Sequence, residues 1–177
     1  QNSEFIAFEN SKTNLPINIQ ENDILLDKTS LLNIKSDAEL ILIYPKEFES
    51  KANEYKTFRN LTIKTEMVSE DNIYNEFNFG NESPIAIKNF IKYAYENWSE
   101  NNKLKYVVFL GDAERNYFTG NLKNYVLPTF QFITSKYGVV NSDPFYGYLY
   151  NFAEDKIDFK NNAIMDVYIG RIPAATV

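Results

Sequence analysis

The chain has 177 residues and a formal net charge of −6, with 44% hydrophobic and 24% charged residues. These values are typical of a globular domain with a proper core and exclude a chain that is disordered throughout. The sequence contains no Cys and no His, which excludes catalysis by a cysteine or histidine of this chain. Lysines are scattered among acidic residues without a basic stripe, so nucleic acid is not an expected partner.

The first part of the chain differs in character from the rest. Residues 1–36 are polar and Asn-rich, with short apolar pairs and no sustained period. We interpret them as a linker or as the tail of a preceding β-rich domain, and residues 37–177 as one subdomain. The longest apolar run, residues 40–44, is far too short to span a bilayer, so we expect no transmembrane segment here.

Strand and helix patterns alternate from residue 39 onward. The continuous apolar run over residues 39–44 is typical of a strand buried on both faces. Apolar residues at helical spacing over 48–58 predict an amphipathic helix. Residues 61–68 alternate and are β-branched, which predicts a second strand. We interpret residues 69–80 as a loop that includes at most a turn of helix around 72–77.

The next segment contains the clearest helix of the chain. Ser83 and Pro84 supply an N-cap followed by proline at the first helical position. Residues 104–110 are another buried strand, and the order strand, helix, strand, helix, strand predicts right-handed crossovers and a parallel sheet, hence an α/β fold. One apolar stripe runs down the helix: Ile87, Phe90, Ile91, Ala94, Tyr95 and Trp98.

The last third of the chain is less regular. Residues 126–133 and 146–152 read as short strands or a hairpin beside the main sheet, and residues 166–170 as one more core strand. About four parallel strands leave one edge of such a sheet unfinished. We therefore expect the domain to be truncated and to continue beyond Val177.

Ligands and catalytic groups of open parallel sheets gather at the carboxyl ends of the strands. This rule selects Pro45, Ser69, Gly111 with Asp112, and Gly170 with Arg171. Asp112 is either a metal-binding or phosphoacceptor carboxylate or simply part of the turn that ends a strand. No dinucleotide fingerprint, P-loop or serine nucleophile elbow is present.

Two further groups of carboxylates have alternative interpretations. Asp143, within Ser-Asp-Pro-Phe-Tyr-Gly, is either a residue that binds a cation or a substrate amine, or a turn initiator. Asp155, Asp158 and Asp166 are candidate oxygen ligands for Ca²⁺, but their spacing matches no EF-hand loop. A solvated acidic loop is the alternative reading of these three residues.

Several segments carry a recognisable pattern, among them Leu-Gly-Asp ending at Asp112 and Gly-Arg-Ile-Pro beginning at Gly170. Taken together, they resemble the N-terminal half of the gingipain family of cysteine peptidases, family C25. Tyr-Asn-Glu-Phe from Tyr74 and Pro-Thr-Phe-Gln from Pro128 favour the sortase-like members that process cargo of the type IX secretion system. The full set, in order, is residues 37–48, 63–68, 73–77 with 83–91, 106–112, 126–131, 142–147 and 166–174.

The resemblance implies the first subdomain of a caspase-like, gingipain-like α/β fold. It also implies a Cys and His dyad that follows the Gly-Arg-Ile-Pro strand, so both catalytic residues are expected beyond Val177 and this chain alone is expected to be inactive. The family chemistry is thiolate attack on a peptide carbonyl assisted by an imidazole. The positions that match the family pattern and shape the subdomain are Gly111, Asp112, Asp143, Gly147, Gly170 and Arg171.

Partners and location follow from the same resemblance. It implies a polypeptide substrate, the remaining half of the same domain as a partner, no required cofactor, a structural Ca²⁺ as in other members, and a secreted or surface location in bacteria. Two alternatives stay open. One is a non-catalytic binding or structural module that uses the aromatic-rich residues 117–152 as a contact surface. The other is a flavodoxin-like or phosphatase-like domain that uses Asp112 with Mg²⁺.

Overall fold

The computed structural model describes residues 30–101, 103–113, 126–150 and 164–174. The chain divides into two compact units, Gln1–Ser30 and Leu31–Val177, and every described helix and strand belongs to the second. The proposed division at residue 36 stays a prediction, since residues 1–29 lie outside the described part. The elements are β1 (Leu40–Tyr44), α1 (Glu49–Arg59), β2 (Thr65–Ser69), α2 (Glu70–Asn78), α3 (Pro84–Asn97), β3 (Tyr106–Leu110), β4 (Phe130–Thr134), β5 (Gly138–Ser142) and β6 (Tyr168–Ile172).

A four-stranded sheet in the order β2-β1-β3-β6 forms the centre of the described structure. All three strand pairs are parallel; Leu40 is opposite Thr65 and Tyr106, and Tyr106 is opposite Tyr168. The five residues of β1 are all buried, as expected for a central strand covered on both faces. The predicted α/β class, a parallel sheet with flanking helices, is confirmed.

The helices divide between the two faces of this sheet. On one face, Ala52 of α1 packs with Leu40, Leu42 and Phe48. On the other face, α2 and α3 bury residues such as Ile73 and Phe90 against β1 and β3. The connection from β1 to β2 through α1 crosses the sheet in the opposite direction to the connection from β2 to β3 through α2 and α3. Because crossovers of parallel strands are right-handed, connections that run in opposite directions place their helices on opposite faces.

Helix α3 begins where the sequence predicts. The Ser83 side chain accepts a hydrogen bond from the Ile85 N–H, and Pro84 occupies the first turn. The predicted apolar stripe points into the core, since Ile87, Phe90 and Ile91 are fully buried.

Two sequence predictions around β2 are wrong in their boundaries. Residues 69–80 are not a loop, because Ser69 caps the nine-residue helix α2 by accepting from the Asn72 N–H. Strand β2 begins at Thr65 rather than at residue 61. Residues 60–63 instead form the turn that ends α1, and the Asn60 side chain accepts the Thr65 N–H at 2.8 Å.

The segment before β6 forms a separate antiparallel hairpin of β4 and β5. The predicted strand over residues 126–133 overlaps β4, which pairs with β5. Residues 146–150, the described part of the other predicted strand, contain no strand. A short 3-10 helix, Pro144–Gly147, follows, and it buries Phe145 and Tyr146. Within the described ranges no helix has both the length and the apolar composition needed to cross a bilayer.

Candidate functional site at the carboxyl edge of the sheet

Arg171, the fourth residue of β6, binds Asp143 through both oxygens of its carboxylate. Nε donates to Oδ2 at 2.7 Å and Nη2 donates to Oδ1 at 2.9 Å. The Arg171 side chain is only 11% exposed and that of Asp143 25%. A bidentate pair with little exposure to solvent is the strong form of the arginine–carboxylate interaction.

The same guanidinium also binds the backbone at the end of β3 and before β4. Nη1 donates to the carbonyls of Asp112 and Leu127, both at 3.1 Å, and to that of Gly111 at 3.4 Å. Nη2 donates to the Pro128 carbonyl at 3.4 Å. Each of the three guanidinium nitrogens therefore already donates to the protein. We call this set, Arg171 with Asp143 and the four carbonyls, the arginine junction.

Gly111 and Asp112 form the turn at the carboxyl end of β3. Gly111 has φ of +149°, a conformation that side-chain-bearing residues rarely adopt. The Asp112 side chain is exposed, and its Oδ1 accepts the Ala113 N–H at 2.8 Å. Asp112 also forms a parallel bridge with Val126, which brings the following segment back against the sheet. The turn interpretation of this pair agrees with these contacts.

The 3-10 helix 144–147 lies against β6 with almost no free space. A Cβ atom on Gly147 would lie 2.4 Å from the Val167 carbonyl oxygen, a distance that no side chain tolerates. The Tyr146 hydroxyl donates to the Pro128 carbonyl at 2.6 Å. Close packing and this hydrogen bond fix the turn that carries Asp143 toward Arg171.

Lys88 of α3 holds the same turn from the other side. Its amine donates to the Phe145 carbonyl at 2.9 Å and lies 4.2 Å from the centre of the Phe145 ring. Burial lowers the pKa of Lys88 to about 8, although the nearby Asp166 carboxylate opposes the shift. Sequence reasoning missed Lys88, because an amphipathic helix pattern gives no sign of which lysine turns inward.

Four of the six family-pattern positions meet at this end of the sheet, where Arg171 contacts Gly111, Asp112 and Asp143 directly. Gly147 ends the short 3-10 helix that follows Asp143, but it lies against Val167, just before the start of β6. The sixth position lies apart: Gly170 is exposed on the opposite face of β6, with its backbone opposite Val108. The carbonyls of Leu127 and Pro128 have no signal in the sequence, because every residue type supplies a backbone carbonyl.

Ser69, another predicted edge position, lines a separate cleft, and Pro45 directly follows Tyr44, which also lines it. A cavity of about 220 Å³ is lined by Tyr44, Ser69 and Asp71 among others, at the ends of β1 and β2. Beside Ser69, burial raises the pKa of Glu70 to about 8, and the carboxylates of Glu82 and Asp71 add to the shift. Pro45 ends β1, and Ser69 caps α2, so both have structural explanations.

No cation site is assembled from the described residues. Among them no three His, Cys, Asp or Glu side chains lie close enough to hold a metal ion. The Asp166 carboxylate accepts the Leu149 N–H at 2.8 Å. Asp155 and Asp158, the other two Ca²⁺ candidates, lie outside the described residues.

Comparison with known proteins gives a family and a fold. The sequence model of peptidase family C25 matches residues 33–177. No curated protein sequence matches the chain. The structure is similar to a chain in the crystal structure of dimeric latent PorU from Porphyromonas gingivalis, with a TM-score of 0.59 and 20% sequence identity. The alignment covers 78% of this chain, which spans only 14% of the length of the PorU chain.

Proposed function

The chain belongs to peptidase family C25, and from this premise we propose that it forms the N-terminal subdomain of a cysteine peptidase. The thiolate and the imidazole then come from other parts of a longer chain, the parent protein, because these 177 residues contain no Cys and no His. In the parent the thiolate attacks a peptide carbonyl while the imidazole moves the proton. The subdomain contributes a scaffold to this reaction and no reacting group.

The arginine junction is the observation that carries the scaffold role. An arginine that recognises a substrate carboxylate must have donors free to meet it. In Arg171 each nitrogen already donates to Asp143 or to a backbone carbonyl. The guanidinium therefore stabilises the loops at the carboxyl edge and is not a recognition group for the substrate.

The finer assignment is to a sortase-like member of the family. The Tyr-Asn-Glu-Phe and Pro-Thr-Phe-Gln segments of the sequence support that branch, whose members join secreted proteins to an acceptor by transpeptidation. On this proposal the parent is secreted or exposed on the bacterial surface and acts on other secreted polypeptides. The remaining half of the domain is the first partner of this chain.

Expression of the parent tests the cysteine mechanism directly. We expect cleavage of a fluorogenic peptide that is abolished by iodoacetamide, whereas the 177-residue chain alone is inactive. Addition of a primary-amine acceptor separates the two activities, because only a transpeptidase converts the acceptor into a peptide-linked product. Activity that survives alkylation contradicts the cysteine mechanism, and cleavage without transfer contradicts the sortase-like assignment.

A non-catalytic binding module is the second candidate, and the β4–β5 hairpin favours it. Ile133, Tyr137 and Val139 are 84%, 69% and 44% exposed, and Ile133 is directly opposite Val139 across the two strands. Exposed apolar side chains of this kind mark contact surfaces. The rest of the predicted aromatic surface, residues 117–125 and 151–152, lies outside the described part of the chain.

A paired substitution tests this second candidate. Capture of denatured casein by the parent is expected to fall severalfold in I133K and to be unchanged in L61K, since Leu61 is similarly exposed, at 79%, on a different part of the surface. Casein capture that both variants retain rules out the hairpin as the contact surface. Thiol-dependent catalysis by the parent rules out the non-catalytic assignment.

A further inference from the structure

Lys88 is a buried cation in a position where an apolar residue would cost less. Only 7% of Lys88 is exposed, and Ile87 and Ile91 beside it on α3 are fully buried. Burial of a charged group costs free energy unless other groups compensate for the lost water. A residue that only fills space in the core gains nothing from this charge, so the contacts of the ammonium are expected to have a role of their own.

The Lys88 ammonium holds residues 143–147, which we call the Asp143 turn. It donates to the Phe145 carbonyl at 2.9 Å and lies 4.2 Å from the centre of the Phe145 ring. Within the turn, the Tyr146 N–H donates to the Asp143 carbonyl at 3.0 Å. The carbonyl that Lys88 holds is therefore two residues from Asp143, inside the same hydrogen-bonded turn.

A second connection from Lys88 to the arginine junction passes through three buried rings. Phe145 meets Tyr146 edge-on at 5.3 Å, and Tyr146 lies 4.9 Å from Phe109 of β3. The Arg171 guanidinium in turn lies 4.9 Å from the centre of the Phe109 ring. Ring pairs and cations over rings attract each other at these separations. Lys88 and Arg171 are thus the two cations that contact one connected group of aromatic rings.

We propose that Lys88 is a positioning residue of the arginine junction, whose ammonium holds the Asp143 turn where the Asp143 carboxylate meets Arg171. Helix α3 is a firm support for this contact, because Phe90 lies with its buried neighbours in the core of the described structure. The consequence for catalysis rests on the proposed function, in which the reacting groups follow β6. Lys88 acts there through Asp143 and Arg171 and not on the substrate.

The chain contains no cysteine, so a single introduced thiol allows a change of charge alone at position 88. Lys88→Cys is alkylated in urea with 2-bromoethylamine, which rebuilds an amine at the length of lysine, or with 1-iodopropane, which puts a methyl group in its place. Both forms are refolded and compared with the wild-type chain at about pH 6, below the pKa of Lys88, which burial lowers to about 8.

The readout is the exchange of the Arg171 Nε–H with water, measured by NMR. Arg59→Lys and Arg115→Lys, which replace the other arginines of the chain, assign its signal. We expect exchange in the propyl form to be at least about tenfold faster than in the amine form, because a charge-assisted hydrogen bond to the turn is lost. The amine form is expected to match the wild-type chain.

Lys92→Met is the matched control for this measurement. Lys92 lies four residues farther along α3, and its amine is 4.9 Å from the centre of the Tyr150 ring. Its loss is expected to leave the exchange of Arg171 unchanged. Equal exchange in the propyl and amine forms overturns the proposal, and so does an equal acceleration in Lys92→Met. A propyl form that does not refold makes Lys88 a residue of the whole fold and overturns the positioning role as well.

Kinetics of the parent test the consequence for catalysis. Lys88→Met is expected to lower kcat severalfold and to leave KM unchanged, whereas Lys92→Met changes neither. An unchanged kcat in Lys88→Met overturns the role in catalysis. A parent without thiol-dependent activity contradicts the proposed function instead, and the exchange of Arg171, which needs no activity, then decides whether Lys88 positions the junction.

Discussion

Replacement of Arg171 by methionine removes the centre of the arginine junction while keeping a long apolar side chain. The Asp143 carboxylate then loses the cation that holds both of its oxygens, at 2.7 and 2.9 Å. The Leu127 carbonyl loses the Arg171 donor at the same time, whereas the Asp112 carbonyl keeps the Leu127 N–H. The variant therefore leaves a shielded charge without its counter-ion, which costs more free energy than the pair itself contributes.

The expected loss follows from the exposure of the two side chains. Breaking a fully buried ion pair by removing one partner costs about 3–5 kcal/mol. Arg171 is 11% exposed, but Asp143 is 25% exposed, so water reaches part of the carboxylate after the substitution. We therefore expect Arg171→Met to lower the free energy of unfolding by about 2–4 kcal/mol, a large part of the typical total of about 5–15 kcal/mol.

Urea unfolding of the 177-residue chain, followed by circular dichroism, measures this loss. The matched control is Lys103→Met, because Lys103 forms a salt bridge with Asp37 in which the two side chains are 42% and 54% exposed. Exposed pairs contribute about 0–1 kcal/mol. Arg171→Lys is expected to fall between the two, since one ammonium cannot reach both carboxylate oxygens and the carbonyls together.

Equal losses in Arg171→Met and Lys103→Met refute the reasoning. A second check is the double-mutant cycle with Asp143→Asn, in which the coupling energy between the two side chains is expected to exceed about 1 kcal/mol. Additive effects of the two substitutions mean that the contacts are present but contribute nothing to stability.

Three further predictions concern the backbone at two positions and the partly buried carboxyl group of Glu70. Gly147→Ala is expected to cost about 2 kcal/mol or more in urea unfolding, because its Cβ would lie 2.4 Å from the Val167 carbonyl oxygen; an unchanged midpoint contradicts this. Phe79→Gly is expected to stabilise the chain by about 0.5 kcal/mol, because Phe79 has φ of +52° and is 98% exposed, and a lower midpoint refutes it. Burial raises the pKa of Glu70 from 4.5 to about 8, so stability falls as pH rises between these values. At about 1.4 kcal/mol per pH unit, the loss of unfolding free energy over this range is at most about 5 kcal/mol, and water at the partly exposed carboxyl reduces it. We therefore expect Glu70→Gln to raise the free energy of unfolding by about 1–2 kcal/mol at pH 8 and to leave it unchanged at pH 4. The same difference between variant and wild type at both pH values contradicts the raised pKa.

Elements with a strong local pattern are those that the sequence predicts well. The apolar run ending at Tyr44 and the stripe of α3 give strand and helix in the right places. Both patterns depend on residues that are close together in the sequence. Burial of these apolar residues is the main determinant of the strand and of the helix. The order of these elements then fixes the parallel sheet and the faces that the helices cover.

Helix α2 shows where the local pattern is insufficient. Five of its first seven residues are Asp, Glu or Asn, and Asp and Asn favour turns or caps as readily as helix. Its apolar face consists of little more than Ile73, Tyr74 and Phe77, which pack against core residues that are distant in the sequence. The Ser69 cap with acidic residues in the first turn was the available signal.

The arginine junction was beyond sequence reasoning for a different reason. Arg171 is 28 residues from Asp143 and about twice as far from Asp112, a separation of 59 residues. Nothing in a local window connects such positions, and four of the six acceptor atoms are backbone carbonyl oxygens. The rule of carboxyl strand ends selected Gly111, Asp112 and Arg171 one by one, whereas their contacts with one another required the three-dimensional structure.

The position of Arg171 within β6 determines what the junction can do. Arg171 is followed by Ile172, the last residue of the strand, and by Pro173, which lies outside it. The contacts of Arg171 therefore fix the point and the direction in which the chain leaves the sheet. In a C25 peptidase whose reacting groups follow this strand, as proposed, rigidity at this point sets where those groups begin. Loss of the junction is then expected to reduce turnover of the parent even under conditions in which the variant remains folded.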